Sequence, residues 1–205
     1  MLLVIGNKNY SSWSLRPWIA MKVLGLPFTE KRIALYRPGS KEEILSFSPA
    51  GKVPVLQDGS TVVWDSLAIL EYLAERHPQL WPADAADRAT ARAVSAEMHS
   101  GFANLRQHMS MNVRKRYPGK GRTPEVLAEI ARIDAIWAAA RGPFLFGSFS
   151  AADAMYAPVV LRFRTYDVDV CPAYMKAMLA LPAMKDWMAA AETEAESLAQ
   201  FELYG

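Results

Sequence analysis

The chain has one cysteine, almost no net charge and no long apolar segment. Cys171 is the single cysteine among 205 residues, so no disulfide can form within the chain, and we expect a reducing compartment. The formal net charge of +2 gives no reason to expect nucleic acid or a membrane as a partner. The apolar start, residues 1–6, is too short for a signal peptide or a membrane span. These absences predict a cytoplasmic protein.

Metal ligands are also scarce. The three histidines, His77, His99 and His108, have no metal-ligand spacing and lie far from the cysteine in sequence. We therefore predict no metal site.

The first part of the chain alternates short apolar runs with helical patterns. The patterns predict strands over Leu2–Ile5 and Thr29–Ala34, with a helix over Ser14–Leu24 between them. A hairpin is predicted around Asp58-Gly59-Ser60, and a helix over Leu67–Arg76 follows it. The order βαβ, a segment without a clear pattern, and then ββα predicts a small α/β domain with a mixed four-stranded sheet.

The prolines between His77 and Pro82 interrupt the helical pattern and mark a domain boundary. Beyond them the strand signals vanish. Amphipathic patterns predict helices over Ala85–Val113, Pro124–Ala140, Ala151–Tyr166, Tyr174–Leu181 and Met184–Glu196. We therefore predict an α/β domain over residues 1–77, a linker over 78–86 and an all-helical domain over 87–205.

Lys52-Val53-Pro54-Val55 places a proline inside an apolar strand pattern. Proline cannot donate to a sheet ladder, so it survives in a strand only at an edge or a bulge. If the Val53–Pro54 bond is cis, Val53 presents its N–H and C=O outward, where they can pair with an extended peptide. The alternative is a trans proline that protects a sheet edge from aggregation.

Asp65-Ser66 stands directly before a predicted helix. Either side chain is an ordinary N-cap. The same place also offers free N–H groups and the positive end of a helix dipole to a carboxylate. Ser66 can hydrogen-bond that carboxylate while Asp65 meets a neighbouring ammonium. Together with Val53, this arrangement suits a peptide with an exposed α-amino acid group.

Hydroxyl side chains gather at Ser11, Ser12 and Ser14, between the first strand and the first helix. Near a helix N-terminus they can donate to an anion such as a thiolate. The alternative is that they cap the helix. Ser14 is the better capping candidate, because it immediately precedes the periodic run, and this leaves Ser11 and Ser12 free.

These three motifs together resemble those of the cytosolic glutathione transferases. The run Ser11-Ser12-Trp13-Ser14-Leu15-Arg16 is similar to the Ser-Ser-Cys-Ser-Trp-Arg motif of the zeta class. Pro54 matches the family's cis-proline before the third strand, and Asp65-Ser66 matches its acid or glutamine followed by serine. Ser150 and Asp153 resemble the family's N-capping box.

The resemblance implies a thioredoxin-like first domain and a glutathione transferase activity. Ser11, or alternatively Ser12, would stabilise the thiolate of glutathione for attack on small, mostly apolar electrophiles. Glutathione would lie along Val53 and Pro54, with Asp65 and Ser66 at its γ-glutamyl end and Lys52 at its glycyl carboxylate. The predicted acceptor pocket comprises Trp13, Asn104, Arg106, Met109 and Met111. The family usually forms homodimers through the third and fourth helices and serves detoxification.

The departure from the zeta motif that bears on the reaction is Trp13, which stands where that class has cysteine. Its bulk would fill space beside the thiol, and this argues against the isomerisation of maleylacetoacetate, the zeta reaction. Two alternatives to conjugation stay open: a glutathione-dependent isomerase of that kind, and a non-catalytic binding module with the same fold.

Overall fold

A computed structural model describes residues 1–204 of the chain. Its four strands form one sheet in the order β2-β1-β3-β4. They span β1 Leu2–Ile5, β2 Thr29–Arg32, β3 Val55–Asp58 and β4 Thr61–Trp64. β1 pairs with β2 in parallel and with β3 antiparallel, and β3 pairs antiparallel with β4. The predicted mixed four-stranded sheet is confirmed, although β2 ends at Arg32 rather than Ala34.

Three helices accompany this sheet: α1 Ser12–Val23, α2 Ser40–Leu45 and α3 Ser66–Arg76. Helix α2 was not predicted, because a helix of six residues with only Ser40 and Ile44 buried shows no apolar periodicity in the sequence. The prediction of Ser14 as the N-cap was wrong. Ser11 holds the N-cap position of α1, and Ser14 lies buried inside the first turn.

The second part of the chain is helical, as predicted. It contains α4 Ala85–Ser100, α5 Ala103–His108, α6 Pro124–Ala138, α7 Ala151–Tyr166, α8 Pro172–Ala180 and α9 Pro182–Glu192. Two 3-10 turns, Pro78–Leu80 and Ala199–Phe201, flank this region. Within residues 1–204, none of the helices combines the length and the apolar character that crossing a bilayer requires.

The single helix predicted over Ala85–Val113 was wrong beyond Ser100. Gly101 is extended and Phe102 adopts a left-handed conformation with φ 57°, so α4 ends there and α5 starts in a new direction. The apolar period continued through the break because Met98 and Leu105 are both buried in one core. The apolar periodicity reflects which residues are buried, and it does not reveal the backbone turn between the two helices.

Helix α7 is the centre of the core and is buried along almost its whole length. At its start, the carboxylate of Asp153 accepts hydrogen bonds from the Ser150 amide (2.9 Å) and from the Leu145 amide (3.0 Å). The predicted capping arrangement of Ser150 and Asp153 is therefore confirmed. Burial raises the pKa of Asp153 to about 6. Helix α7 packs against α1 and α4, so it joins the two parts of the chain.

The segment after α9 folds back onto the loop between β1 and α1. The predicted helix to Glu196 ends instead at Glu192. Glu194 then accepts hydrogen bonds from the Lys8 amide (2.7 Å) and the Asn9 amide (3.0 Å). Trp187 of α9 donates its indole N–H to the Lys8 carbonyl. These contacts fix the loop that leads into Ser11.

Candidate active site

A cavity of about 610 Å³ opens between the start of α1, the segment before β3, and helices α5 and α7. Its walls include most of the residues predicted for the site: Ser11, Ser12, Trp13, Lys52, Val53, Arg106 and Met111. These residues come from distant parts of the sequence. The fold therefore brings the predicted thiolate site and part of the predicted acceptor pocket into one space.

Ser11 lies at the end of a short chain of hydrogen bonds. The buried amide of Gly6 donates to Ser14 Oγ (3.1 Å), and Ser14 Oγ lies 2.7 Å from Ser11 Oγ. Ser14 is fully buried and has no other side-chain partner among residues 1–204. Either hydroxyl could donate in this contact. Because the buried Ser14 proton needs an acceptor, we infer that Ser14 donates to Ser11. The proton of Ser11 is then free to point into the cavity.

Ser12 is the first residue of α1 and also borders the cavity. Its hydroxyl oxygen accepts a hydrogen bond of 3.5 Å from Arg162 Nη2 on α7. Arg162 was not among the predicted site residues. The available signal was a charged residue within the apolar run Val159-Val160-Leu161-Arg162-Phe163, and such a residue in a buried helix has a specific reason to be there.

Arg162 belongs to a cluster of three arginines, with Arg16 and Arg106. The guanidinium groups of Arg16 and Arg106 lie 4.1 and 4.6 Å from the ring centroid of Trp13. None of the three pairs with a carboxylate in the part of the chain that the structure describes. Their backbone carbonyl partners carry no net charge.

Burial lowers the pKa values of these arginines, and mutual repulsion adds to the effect in two of them. Burial lowers the pKa of Arg162 to about 9, and the charge of Arg106 adds to the effect. Burial also lowers the pKa of Arg16, helped by Arg106 and Arg162. Positive charge held together against burial and mutual repulsion provides a strong attraction for an anion in the cavity.

The Val53–Pro54 peptide bond is cis, as the resemblance implies. The expected edge position was wrong: β3 lies between β1 and β4, and Pro54 precedes its first residue. Proline is tolerated there because the ladder with β1 begins at Val55. The backbone N–H and C=O of Val53 have no hydrogen-bond partner among the described residues. They remain available to an extended ligand on the cavity wall.

Asp65 and Ser66 lie at the N-terminus of α3. Asp65 is the N-cap, with φ 73°, and its Oδ1 accepts hydrogen bonds from the amides of Leu67 (2.9 Å) and Ala68 (3.3 Å). Burial raises its pKa, but hydrogen bonds from His99 and from these amides outweigh burial and leave the pKa below its usual value. Ser66 Oγ is buried without a partner in residues 1–204. A ligand with an ammonium group next to a carboxylate would match this pair: its ammonium faces the anionic Asp65, and its carboxylate faces the unpaired hydroxyl of Ser66.

Five predicted site residues do not line the cavity: Pro54, Asp65, Ser66, Asn104 and Met109. Of the predicted acceptor pocket, the missing residues are Asn104 and Met109. The Asn104 side chain donates to Glu129 on α6 (2.9 Å), and Met109 is fully buried in the core. The turn at Gly101 changes the direction of the chain, so positions predicted for a continuous helix face elsewhere. Instead, Phe201 from the C-terminal segment lines the cavity. Its ring stacks on that of Tyr10, with the ring centroids 5.5 Å apart.

Within the part of the chain that the structure describes, acidic, histidine and cysteine side chains do not gather into a possible metal site. In residues 1–204, no group of three or more His, Cys, Asp or Glu side chains could hold a metal ion. Cys171 instead donates to Asp134, and burial, together with this contact, raises the pKa of its thiol to about 11.

Comparison with known proteins identifies similar sequences and folds. Residues 10–76 match the family model described as glutathione S-transferase, N-terminal domain, and residues 120–190 match the corresponding C-terminal domain. The maleylacetoacetate isomerase of Rattus norvegicus is 30% identical over 193 residues, which cover 87% of each chain.

Two solved structures share the fold. A glutathione transferase homologue from Burkholderia GL BGR1, with bound glutathione, has a TM-score of 0.72 and 22% identity over 94% of this chain and 98% of its own. A bacterial maleyl pyruvate isomerase, described as a zeta-class glutathione S-transferase, has a TM-score of 0.71 and 23% identity. It matches over 97% of this chain and 100% of its own.

Proposed function

The chain belongs to the glutathione S-transferase family and is an enzyme of that class, and on this premise we propose that Ser11 activates glutathione in the cavity. The observation that carries the assignment is the hydrogen-bond chain from Gly6 through Ser14 to Ser11. It leaves the Ser11 proton for the ligand and polarises it. A thiolate that accepts this proton at the N-terminus of α1 is stabilised relative to the thiol.

The remaining parts of glutathione have matching groups. Its backbone pairs with the N–H and C=O of Val53, which lack partners within residues 1–204. Its γ-glutamyl ammonium meets the Asp65 carboxylate, and its γ-glutamyl carboxylate meets the unpaired hydroxyl of Ser66. Lys52, on the cavity wall, reaches the glycyl carboxylate. Each of these contacts places charge against opposite charge or a donor against an acceptor.

The acceptor is a small electrophile with an apolar body and at least one carboxylate. Met111 and Phe201 supply apolar wall, in keeping with the apolar electrophile that sequence analysis predicted. Arg106 and Arg162 supply positive charge that lacks a carboxylate partner within residues 1–204. In conjugation, the thiolate sulfur forms a bond to the electrophilic carbon. The electron pair leaves with a leaving group, or rests on the acceptor until a proton is taken up.

Isomerisation is the second candidate, and the arginine cluster favours it because an unsaturated diacid carries two carboxylates. The relative from Rattus norvegicus is named for this activity. The thiolate would add to a cis double bond conjugated to a carbonyl, so that the electron pair moves onto the carbonyl oxygen. Rotation about the new single bond and expulsion of the thiolate then give the trans product and regenerate glutathione. Trp13, in place of the zeta-class cysteine, argues against this reaction.

Parallel assays separate these candidates. The purified protein is given glutathione with 1-chloro-2,4-dinitrobenzene, with an acrylate-type monoacid, or with maleylacetoacetate. We expect turnover of carboxylate-bearing acceptors with a higher kcat/KM than the neutral acceptor. Turnover of the diacid without loss of glutathione would establish isomerisation. If calorimetry detects no binding of glutathione, the protein is a non-catalytic module and the proposal is wrong.

Assembly and location remain predictions from the resemblance. We propose a cytoplasmic homodimer that forms through α3 and α4 and acts in detoxification. Sedimentation velocity tests the first point: a single species at twice the chain mass of 22.8 kDa supports it, and a monomer contradicts it.

A further inference from the structure

We propose that His99 is a positioning residue that holds Asp65 for glutathione, and that protonation of His99 weakens glutathione binding. This inference rests on the proposed function, in which Asp65 receives the γ-glutamyl ammonium. His99 lies near the end of α4, more than thirty residues beyond Asp65, and outside the zeta-like motif. The family resemblance assigned it no role.

The contact between the two side chains is direct. His99 Nε2 lies 2.7 Å from Asp65 Oδ2. The other carboxylate oxygen, Oδ1, already accepts from the amides of Leu67 and Ala68. Asp65 also has a left-handed backbone, which is unfavourable for a residue with a side chain. His99 therefore completes the set of contacts that fixes this carboxylate at the start of α3.

His99 is itself held from several sides. Its ring packs edge-on against Trp13 with centroids 5.3 Å apart, and its carbonyl accepts a hydrogen bond from Arg106 Nη2 (3.3 Å). Among residues 1–204, the charged groups that face it are thus Asp65 at the N-cap of α3, Arg106 from α5 and, across the Trp13 ring, Arg16 from α1. Only Asp65 is anionic.

The protonation state of His99 decides how much negative charge Asp65 offers to a ligand. A neutral imidazole donates one N–H and leaves the carboxylate its full charge. A protonated imidazole is a cation in the same place, so it neutralises Asp65 and repels a ligand ammonium. The His99 side chain is 31% exposed, and protons from solvent can reach it. Histidine ordinarily changes charge between pH 5 and 8. Binding of a ligand ammonium therefore releases a proton, and a fall in pH weakens binding.

The test measures Kd by calorimetry between pH 5.5 and 8 with S-methylglutathione, which has no thiol to titrate. We expect the Kd of the wild type to rise about fivefold to tenfold as the pH falls from 8 to 5.5, which lies within the limit of about tenfold per pH unit that one competing proton sets. The heat of binding in buffers of different ionisation enthalpy should show a released proton. In His99→Gln, which keeps an N–H donor without a titrating group, the Kd should be nearly constant with pH.

Two controls isolate the contact. His77→Gln, at the opposite end of α3, should keep the pH dependence of the wild type. S-methylglutathione that lacks its α-amino group should bind the wild type weakly and without pH dependence. NMR titration of His99 in the unaltered protein gives a measurement independent of any variant: its midpoint should fall when S-methylglutathione binds.

The outcomes distinguish this inference from the proposed function. If Asp65→Asn binds S-methylglutathione as tightly as the wild type, the assignment of Asp65 in the proposed function is wrong. If Asp65→Asn weakens binding but His99→Gln keeps the pH dependence of the wild type, only the role of His99 is wrong. An NMR midpoint that does not move on binding would also overturn it.

Discussion

Replacement of Arg162 by methionine tests whether the arginine cluster exists for an anionic acceptor. Arg162 is 7% exposed and lacks a carboxylate partner within residues 1–204, and its guanidinium hydrogen-bonds the Met109 carbonyl. Such a group destabilises the fold unless a ligand supplies the missing negative charge. Arg162→Met keeps an unbranched apolar side chain, shorter than that of arginine, and removes the charge. We expect this variant to lose activity and to gain stability.

The expected gain in stability follows from the pKa of Arg162. The pKa of Arg162 lies at about 9, below the ordinary 12.5 of arginine. This difference corresponds to about 5 kcal/mol of destabilisation, which is fully present at any pH below about 9. An unpaired Met109 carbonyl in the variant costs about 1–3 kcal/mol. The net gain of about 2 kcal/mol or more predicts a Tm rise of about 4–8 °C.

For activity, loss of a charge about 4 Å from a bound carboxylate costs roughly 1–4 kcal/mol, depending on the effective dielectric. We therefore expect kcat/KM for a carboxylate-bearing acceptor to fall by about fivefold to several hundredfold, while kcat/KM for 1-chloro-2,4-dinitrobenzene changes less than about threefold. The assay compares both acceptors and measures Tm. Arg164→Met, on the same helix but off the cavity wall, is the control. It should leave kcat/KM for both acceptors unchanged. A lower Tm for Arg162→Met with equal loss on both acceptors would refute this reasoning.

Three further predictions concern the supports of the site. Asp153→Asn replaces an acceptor of amide and hydroxyl protons with an amide, and should lower the unfolding free energy by about 2–4 kcal/mol in denaturant melts. Phe201→Ala should raise KM for the acceptor severalfold and leave the glutathione Kd unchanged, because Phe201 lines the cavity from the C-terminal segment. Ser14→Ala should cost about 1–3 kcal/mol of stability, because the buried Gly6 amide loses its acceptor. It should also raise the pKa of bound glutathione in a thiolate titration. Each role would be contradicted by an unchanged readout: the unfolding free energy for Asp153→Asn, the acceptor KM for Phe201→Ala, and the stability or the thiol pKa for Ser14→Ala.

Local patterns predicted those parts of the fold that depend on local sequence. The hairpin at Asp58-Gly59-Ser60 and helix α3 follow from turn chemistry and apolar period. Helix α2 and the break at Gly101 were missed, since one is too short to show a period and the other interrupts no burial pattern.

Most residues of the candidate site that were predicted and also line the cavity lie in adjacent motifs. Ser11, Ser12, Lys52 and Val53 all border the cavity as expected. Arg162, Phe201 and His99 were assigned no role in advance, because each acts through tertiary contacts with residues far away in sequence. The arginine cluster is visible only once α1, α5 and α7 are packed together.

The most direct test of the account is the pKa of the thiol of bound glutathione, followed by ultraviolet absorption of the thiolate in the wild type, Ser11→Ala and Ser12→Ala. A hydrogen bond to a charged group is worth about 1.5–3 kcal/mol, so loss of the Ser11 hydroxyl should raise this pKa by about one to two units. Ser12→Ala should raise it by less than about half a unit. A thiol pKa that Ser11→Ala leaves unchanged would contradict the account, whether or not Ser12→Ala alters it.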